Sequence, residues 1–307
     1  MVSMLSGAVP GHANTPDELV AWHYGNPFAE QRLLAQGSGR VDMSHKGVIE
    51  VSGPDRLVYI NSLTTQLLLD LEPGSSALTL NLNPQGFVLH ELHVINGNEC
   101  LWLIVEPDSI AEMVSYLNKM KFLMKIEVVD VTDKWAVVFE NSRAIESDYP
   151  TWLNPFSGGG REILIPRGEL HEYVSASPVG MWAHAAFRVQ HRIPRQGFET
   201  DHRTIPNEVG WLETAVHLDK GCYRGQETIS KVTRMGKPPR HLAFVHFDGT
   251  TDELPEHGTD VFLDDTVIGF VATSVQHYEL GPIASVVIKR NVTEGNLRIS
   301  NLNAMLE

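Results

Sequence analysis

Apolar and polar positions change period several times along this chain. From Gly47, "GVIEVSGPDRLVYINSLTT" opens as a short β-type run and then shifts to helical spacing at Leu57, Ile60 and Leu63. Ser52 is the expected N-cap and Pro54 suits the first helical turn. The stretch "SSALTLNLNPQGFVLHELHVINGNECLWLIVE" predicts a hairpin and a third strand, because Pro84 and Gly86 stand where a type I turn favours them and "NGN" makes a further turn. Asp108 opens a second helix in which Ile110, Met113, Val114 and Leu117 share one face. The runs "IEVVDVT" and "WAVVFEN" add two strands, so this part reads as an α+β lobe of mainly antiparallel strands.

The pattern then loosens. "YPTWLNPFSGGGRE" reads as a loop, "RGELHEYVSAS" and "VGMWAHAAFRVQHR" as helices, the second ending before Pro194. "IPRQGFETDHRTIPNEVGW" is irregular throughout, and a loop of that length inside a compact domain generally serves a function. "GQETISKVTR" predicts one more helix, ending before Gly236. From residue 241 onward, "LAFVHF", "DVFL", "VIGFVATSV" and "IASVVIK" alternate with turn clusters and no helix is signalled, the pattern of a small β-barrel. The expected division is 1–238 for an α+β region of two lobes, not necessarily continuous in sequence, and 239–307 for the barrel.

Composition narrows the class. The longest purely apolar run, "CLWLIV", is far short of the ~20 residues of a membrane-spanning helix. The N-terminal "MVSMLSGAVPGHANTPDEL" has neither a charged start nor a sustained apolar core, so it is expected to be a loose leader and not a secretion signal, which places the protein in the cytoplasm. With 24 Lys+Arg against 38 Asp+Glu the net charge is -14, unfavourable for broad phosphate-backbone binding, so nucleic acid is not an expected partner, and without a spanning run no membrane is expected either. The two cysteines make no disulfide framework, and the 14 histidines are scattered without zinc-ligand spacing.

The most distinctive chemistry is at residues 217–234, "HLDKGCYRGQETISKVTR". Lys220 and Arg224 flank Cys222, and a thiol just ahead of a helix N-terminus gains from the dipole as well, so a favoured thiolate is expected. Gly221 and Gly225 permit unusual backbone dihedrals and close approach of a ligand. The competing account is a buried, inert cysteine with cations pointing to solvent; it is adopted for Cys100 in its apolar strand.

"KGCYRGQE", Lys220 to Glu227, resembles the signature of the YgfZ family of folate-binding proteins, relatives of the glycine cleavage T-protein and of iron-sulfur assembly factors. "VDMSHKGVIEVSGPDRLVYINSLTT", "LNLNPQGFVLHELHVI", "FRVQHRIPRQGFETDHRTIPNEVG" and the barrel's "VIGFVATSV" with "LGPIASVVI" resemble further T-protein segments in the expected order, over roughly residues 40 to 290. The resemblance implies a three-lobed ring with mainly antiparallel sheets, a small C-terminal β-barrel and tetrahydrofolate or a derivative in a central cavity. It implies support for the synthesis or repair of iron-sulfur client enzymes, with Cys222 as the reactive residue near the cavity. Lys220, Gly221, Tyr223, Gly225, Gln226 and Glu227 are carried over from the signature as folate-site candidates, and Arg188, Gln190, Glu208 and Ser44 (with His45) from the surrounding pattern.

Three departures argue against glycine cleavage itself. The aminomethyltransferase has an Asp pair after its hairpin turn where this chain has His90 and Glu91; its helix carries "RxE" where this chain has Arg188, Val189 and Gln190; and its signature has Asp in place of Cys222. A folate-dependent aminomethyltransferase or demethylase activity would need His90 or Glu91 as general base, whereas the plainer expectation is that both face solvent. A docking module with a vestigial cavity is the third possibility. A single cysteine cannot hold a stable cluster, since all-Cys sites need about four thiolates, so no resident iron-sulfur centre is expected.

Overall fold

The structure, a computed structural model, describes residues 4–142, 147–250 and 253–307. A five-stranded antiparallel sheet runs in the order Ser76–Leu82, Val88–Asn96, Cys100–Val105, Gly47–Ser52, Glu127–Asp130. Helices Arg56–Leu63 and Ile110–Met120 cover one face, where Tyr59, Ile60, Met113 and Leu117 pack on Ile49, Val51, Leu92 and Val94. A second sheet has the order Thr151–Leu153, Arg161–Pro166, Trp135–Glu140, Arg40–Asp42, Pro178–Val179, antiparallel except for its last pair. Strand alternation splits its residues: Ala136 and Val138 face helix Leu170–Ser175, while Val137 and Phe139 face the first sheet. Val48, Leu78, Leu80 and Ile104 meet them there, and this shared core holds the two lobes together.

Six strands from Arg240 to Leu306 close into a barrel filled by Val245, Val261, Val271, Val286 and Ile288. Helix Met181–Gln190 ties the barrel to the lobes: Ala185, Ala186 and Val189 pack against Phe244, Val275 and Ile283. Its opposite side faces the junction of the two sheets.

Several local expectations are corrected. Ser52 ends a strand and is no N-cap; Asp55 takes the position before the helix, and its carboxylate accepts the Lys125 backbone N–H at 2.7 Å instead. The "YPTWLNPFSGGGRE" loop contains a hairpin strand at Thr151–Leu153, anchored by buried Trp152, whose indole N–H donates to the Ala77 carbonyl at 3.0 Å. Pro and Gly on either side leave too few residues for a period to register. Helix Pro27–Ala35 was not anticipated, although Asn26 caps it through the Ala29 N–H and Pro27 opens it.

The N-terminal stretch is no loose leader. Residues 1–3 lie outside the described residues, but Val9–Pro10 pairs with Ala21–His23, and Asp17 is buried in an ion cluster. No helix among the described residues is long and apolar enough to cross a membrane.

Candidate functional site

Side chains from both sheets and the connecting helix converge on a narrow cavity lined by Lys46, Glu91, His93, Phe139, Trp152, Asn154, Phe156, Glu162, His184, Phe187, Arg188 and Arg195, among others. Period decides which residues reach it. On strand Val88–Asn96, Glu91, His93 and Ile95 point inward, while His90, Leu92 and Val94 point to the covering helices. On helix Met181–Gln190, His184, Phe187 and Arg188 recur at i, i+3, i+4 and share the cavity face.

A continuous chain of charged groups forms the wall. Lys46 Nζ donates to Glu162 Oε1 at 2.8 Å, and Glu162 Oε2 lies 2.7 Å from His93 Nδ1. His93 Nε2 lies 3.3 Å from Glu91 Oε1, and Glu91 Oε2 accepts the Gln196 backbone N–H at 3.1 Å. Behind Lys46, Arg195 grips both Asp17 and Glu106 through its guanidinium, and His45 Nε2 stands 3.0 Å from Asp17. Arg188 pairs with Glu199 at 2.8 Å, and Glu199 also accepts from Thr273 and Ser285 of the barrel.

Burial would push His93 toward neutrality, but the Glu162 carboxylate outweighs it and holds the imidazolium above its ordinary value. Burial also opposes ionisation of Glu162 and Glu106, yet His93 and Lys46 keep Glu162 well below the usual carboxylate range, and Arg195 with Lys46 lowers Glu106. His184 goes the other way: burial and then the cations Arg188, Arg195 and Lys46 drive it far down, so it is neutral. The Nδ1 of His184 and the Nε of Arg188 are buried and have no hydrogen-bond partner among the described residues. Flat against this wall, His93 stacks on Trp152 with centroids 3.7 Å apart. The open volume is about 30 Å³, room for about two waters.

Of the residues singled out in the sequence, Arg188 and Glu91 reach the cavity and His45 stands just behind it. His90 and Glu91 do not face solvent as expected: they are 3% and 8% exposed, and His90 Nε2 lies 3.7 Å from Glu112 on the outer helix. Ser44 sits in the preceding turn, its N–H donating to Asp42 and its carbonyl accepting from Arg167. Gln190 is at the exposed helix end beside His277. Glu208 is buried but engaged by Arg240 and the Ile205 N–H, outside the cavity lining.

The signature forms a separate feature. Gly221 and Cys222 are exposed, and Tyr223 packs its ring into the shared core. Lys220 Nζ donates to the carbonyls of Asn61, Thr64 and Gln66 at 2.6 to 2.7 Å, fixing the loop to the end of helix Arg56–Leu63. Burial brings its ammonium down to about 8. Gly225, at φ +85°, lies so close to the hairpin turn that a Cβ would meet the Asn83 carbonyl oxygen at 2.8 Å. Gln226 and Glu227 then open helix Gln226–Met235, on an outer groove with Ser230, Lys231 and Arg234.

Sequence reasoning missed Lys46, His93, Trp152, Glu162 and His184. His93 could have been found, because with Glu91 it makes two polar residues at i and i+2 that break the apolar face of an otherwise buried strand.

The fold is aminomethyltransferase-like. Residues 20–139 match the family model described as the GCVT N-terminal domain. The crystal structure of glycine cleavage system aminomethyltransferase T from Bartonella henselae superimposes with a TM-score of 0.82 at 17% identity, covering 98% of this chain and 93% of that one. The chain is 25% identical over 284 residues to an aminomethyltransferase of Alkaliphilus oremlandii, spanning 80% of this chain and 76% of that protein. It is 23% identical over 302 residues to one from Bacillus velezensis, spanning 86% and 79%. Residues 20–139 thus resemble the GCVT N-terminal domain, and the fold as a whole is T-protein-like.

Proposed function

We propose that the protein binds a reduced folate in its central cavity. One observation carries this reading: Trp152, its ring stacked on His93, lines the same cavity as His184 and Arg188, whose buried Nδ1 and Nε lack partners among the described residues. A planar heteroaromatic ring rich in donors and acceptors supplies both a stacking surface and the missing hydrogen bonds. A reduced folate would bring a nitrogen able to carry a one-carbon unit. The open space is smaller than such a ring, so binding requires the His93–Trp152 stack or the Asn154–Phe156 segment to shift. In this reading residues 1–238 carry the folate site, 239–307 form the barrel, and the protein works in the cytoplasm.

Calorimetric titration with tetrahydrofolate and 5-formyltetrahydrofolate tests it. Wild type binds at least one of them, and Trp152→Ala weakens binding by about tenfold or more. Heat-silent titrations with unchanged Trp fluorescence would remove the proposal.

With folate bound, the protein supports the synthesis or repair of iron-sulfur enzymes through Cys222, as the YgfZ-like signature implies. What supports this step is that Cys222 is exposed and outside the cavity lining, reachable by a client protein while the cavity stays closed. Cells lacking the protein recover iron-sulfur enzyme activity with the wild-type gene and not with Cys222→Ser; equal recovery refutes the role of the thiol.

A second reading, one-carbon transfer, is favoured by the inward carboxylate of Glu91, held by Gln196 and beside His93. It requires turnover of an aminomethyl or N-methyl donor with tetrahydrofolate that Glu91→Gln abolishes. Absence of turnover in wild type leaves the first reading alone.

A further inference from the structure

An apolar point stands out on the surface far from any described partner. Leu123 is 99% and Phe122 79% exposed, with Met124 also open, three consecutive apolar residues where isolated ones are the norm. Lys119 and Lys125 flank them, both exposed, and Lys121 joins them at the base of the turn. In a chain of net charge -14 this concentration of cations is local.

The tip is rigidly built. The Met124 N–H donates to the Lys121 carbonyl at 2.8 Å, closing a tight turn with Phe122 at φ +41°. The Lys125 N–H donates to Asp55 at 2.7 Å, and the Lys125 carbonyl presses so closely on Gly53 that a Cβ there would lie 2.3 Å from it. Half-exposed Val58 sits one turn beyond Asp55 on the adjoining helix.

We propose that the turn Lys121–Met124 is a membrane-surface anchor, with Phe122 and Leu123 entering the interfacial layer of an anionic bilayer while Lys119, Lys121 and Lys125 contact lipid phosphates. A convex point of apolar side chains ringed by long cationic stems suits a deformable liquid surface: the stems reach back to the headgroups as the tips sink. The acidic groups beside it, Asp55 and Glu127, are few, and Asp55 is held by the Lys125 N–H. Tip-to-tip pairing of two copies would set lysine against lysine, so a second copy is a poor occupant. Screening within about 8 Å lets the tip act apart from the acidic remainder. The contact is peripheral and reversible, and it is independent of the folate site.

Co-sedimentation of the full chain with vesicles of mixed phosphatidylcholine and phosphatidylglycerol tests this, with pure phosphatidylcholine vesicles alongside. Wild type sediments with the anionic vesicles, less with the neutral ones, and progressively less as salt rises. Phe122→Ser/Leu123→Ser removes sedimentation, and Lys119→Glu or Lys125→Glu each weakens it by about fivefold or more. Thermal unfolding of the variants stays at the wild-type midpoint, since the changed side chains are exposed. Binding that survives the double serine variant, or no binding to either vesicle, overturns the proposal. So does a lipid-free change of mass in the serine variant, which would assign the tip to a second copy, or a wild-type complex with an acidic protein that the serine variant loses while vesicles stay unbound.

Discussion

His93 lies parallel to Trp152, planes 6° apart, while its two ring nitrogens face Glu162 and Glu91. The stack fixes the ring and the carboxylates fix its charge, so the lobe-to-lobe contact depends on a proton. His93 is held above its ordinary value of about 6.5 in the folded protein. A raised folded-state value means the stabilisation is complete below about 6.5 and is lost as pH climbs through the folded value. Glu162, depressed, contributes above about 4.5 and loses its contribution as pH falls. The wild-type melting temperature should therefore decline on the alkaline side, and His93→Gln should flatten that limb and shrink the acid limb without removing it, since Lys46 still pairs with Glu162. Parallel pH–melting curves on both limbs would show that the imidazolium does not contribute.

Thiol chemistry should separate the two cysteines. Cys222 is exposed, whereas Cys100 begins a strand and burial, with Glu50 nearby, pushes its thiol up to about 11. An aromatic disulfide reagent near neutral pH should give one fast and one slow phase, the slow one roughly tenfold slower or more. Cys222→Ser should delete the fast phase only. A single-rate reaction of both thiols would mean that the signature loop is packed more tightly than described.

Much of the fold was legible because burial wrote it as period. Alternation in "WAVVFE" and helical spacing at Met113 and Leu117 each answer to one covered face. The cavity was far less legible, because its residues come from separate stretches and each looks ordinary in its own. Lys46 and Glu162 are 116 positions apart yet share a hydrogen bond. Local motif strength also pointed elsewhere: the "KGCYRGQE" stretch is the most distinctive in the chain, but its Lys220 anchors a helix end and its Gly225 allows two backbones to touch. Asp17 gave no period at all, and only tertiary placement reveals that it holds Arg195.

Arg240 should be a principal tether of the barrel. Its guanidinium reaches Asp201 at 2.6 and 3.0 Å and Glu208 at 2.9 and 3.0 Å, tying the first barrel strand to the irregular segment. Removing it leaves Glu208, 1% exposed in its side chain, without its cation. Arg240→Ala should destabilise by about 3 kcal/mol in denaturant unfolding, and Arg240→Lys by less, since one ammonium cannot serve both carboxylates in a fork. A loss below about 1 kcal/mol for Arg240→Ala would match a surface pair and rule out the tether.

Gly225 gives the sharpest test of how the signature is held. Its φ of +85° disfavours any side chain, and the added Cβ would also meet the Asn83 oxygen and Gly86 Cα, each at 2.8 Å. Both are backbone atoms of a turn closed by the Gly86 N–H to Asn83 carbonyl bond at 3.0 Å, so neither can step aside cheaply. Gly225→Ala should cost about 2 kcal/mol or more. The relief available is for helix Gln226–Met235 to move off the hairpin, so the fast thiol phase of Cys222 should change rate in the same variant. Gly221→Ala is the control: its φ of +97° is equally left-handed, but nothing lies within 4 Å of the added atom. It should lose only the backbone part, about 1 kcal/mol. Equal losses for the two variants would mean that backbone conformation alone, and not contact with the hairpin, sets the requirement for glycine at 225.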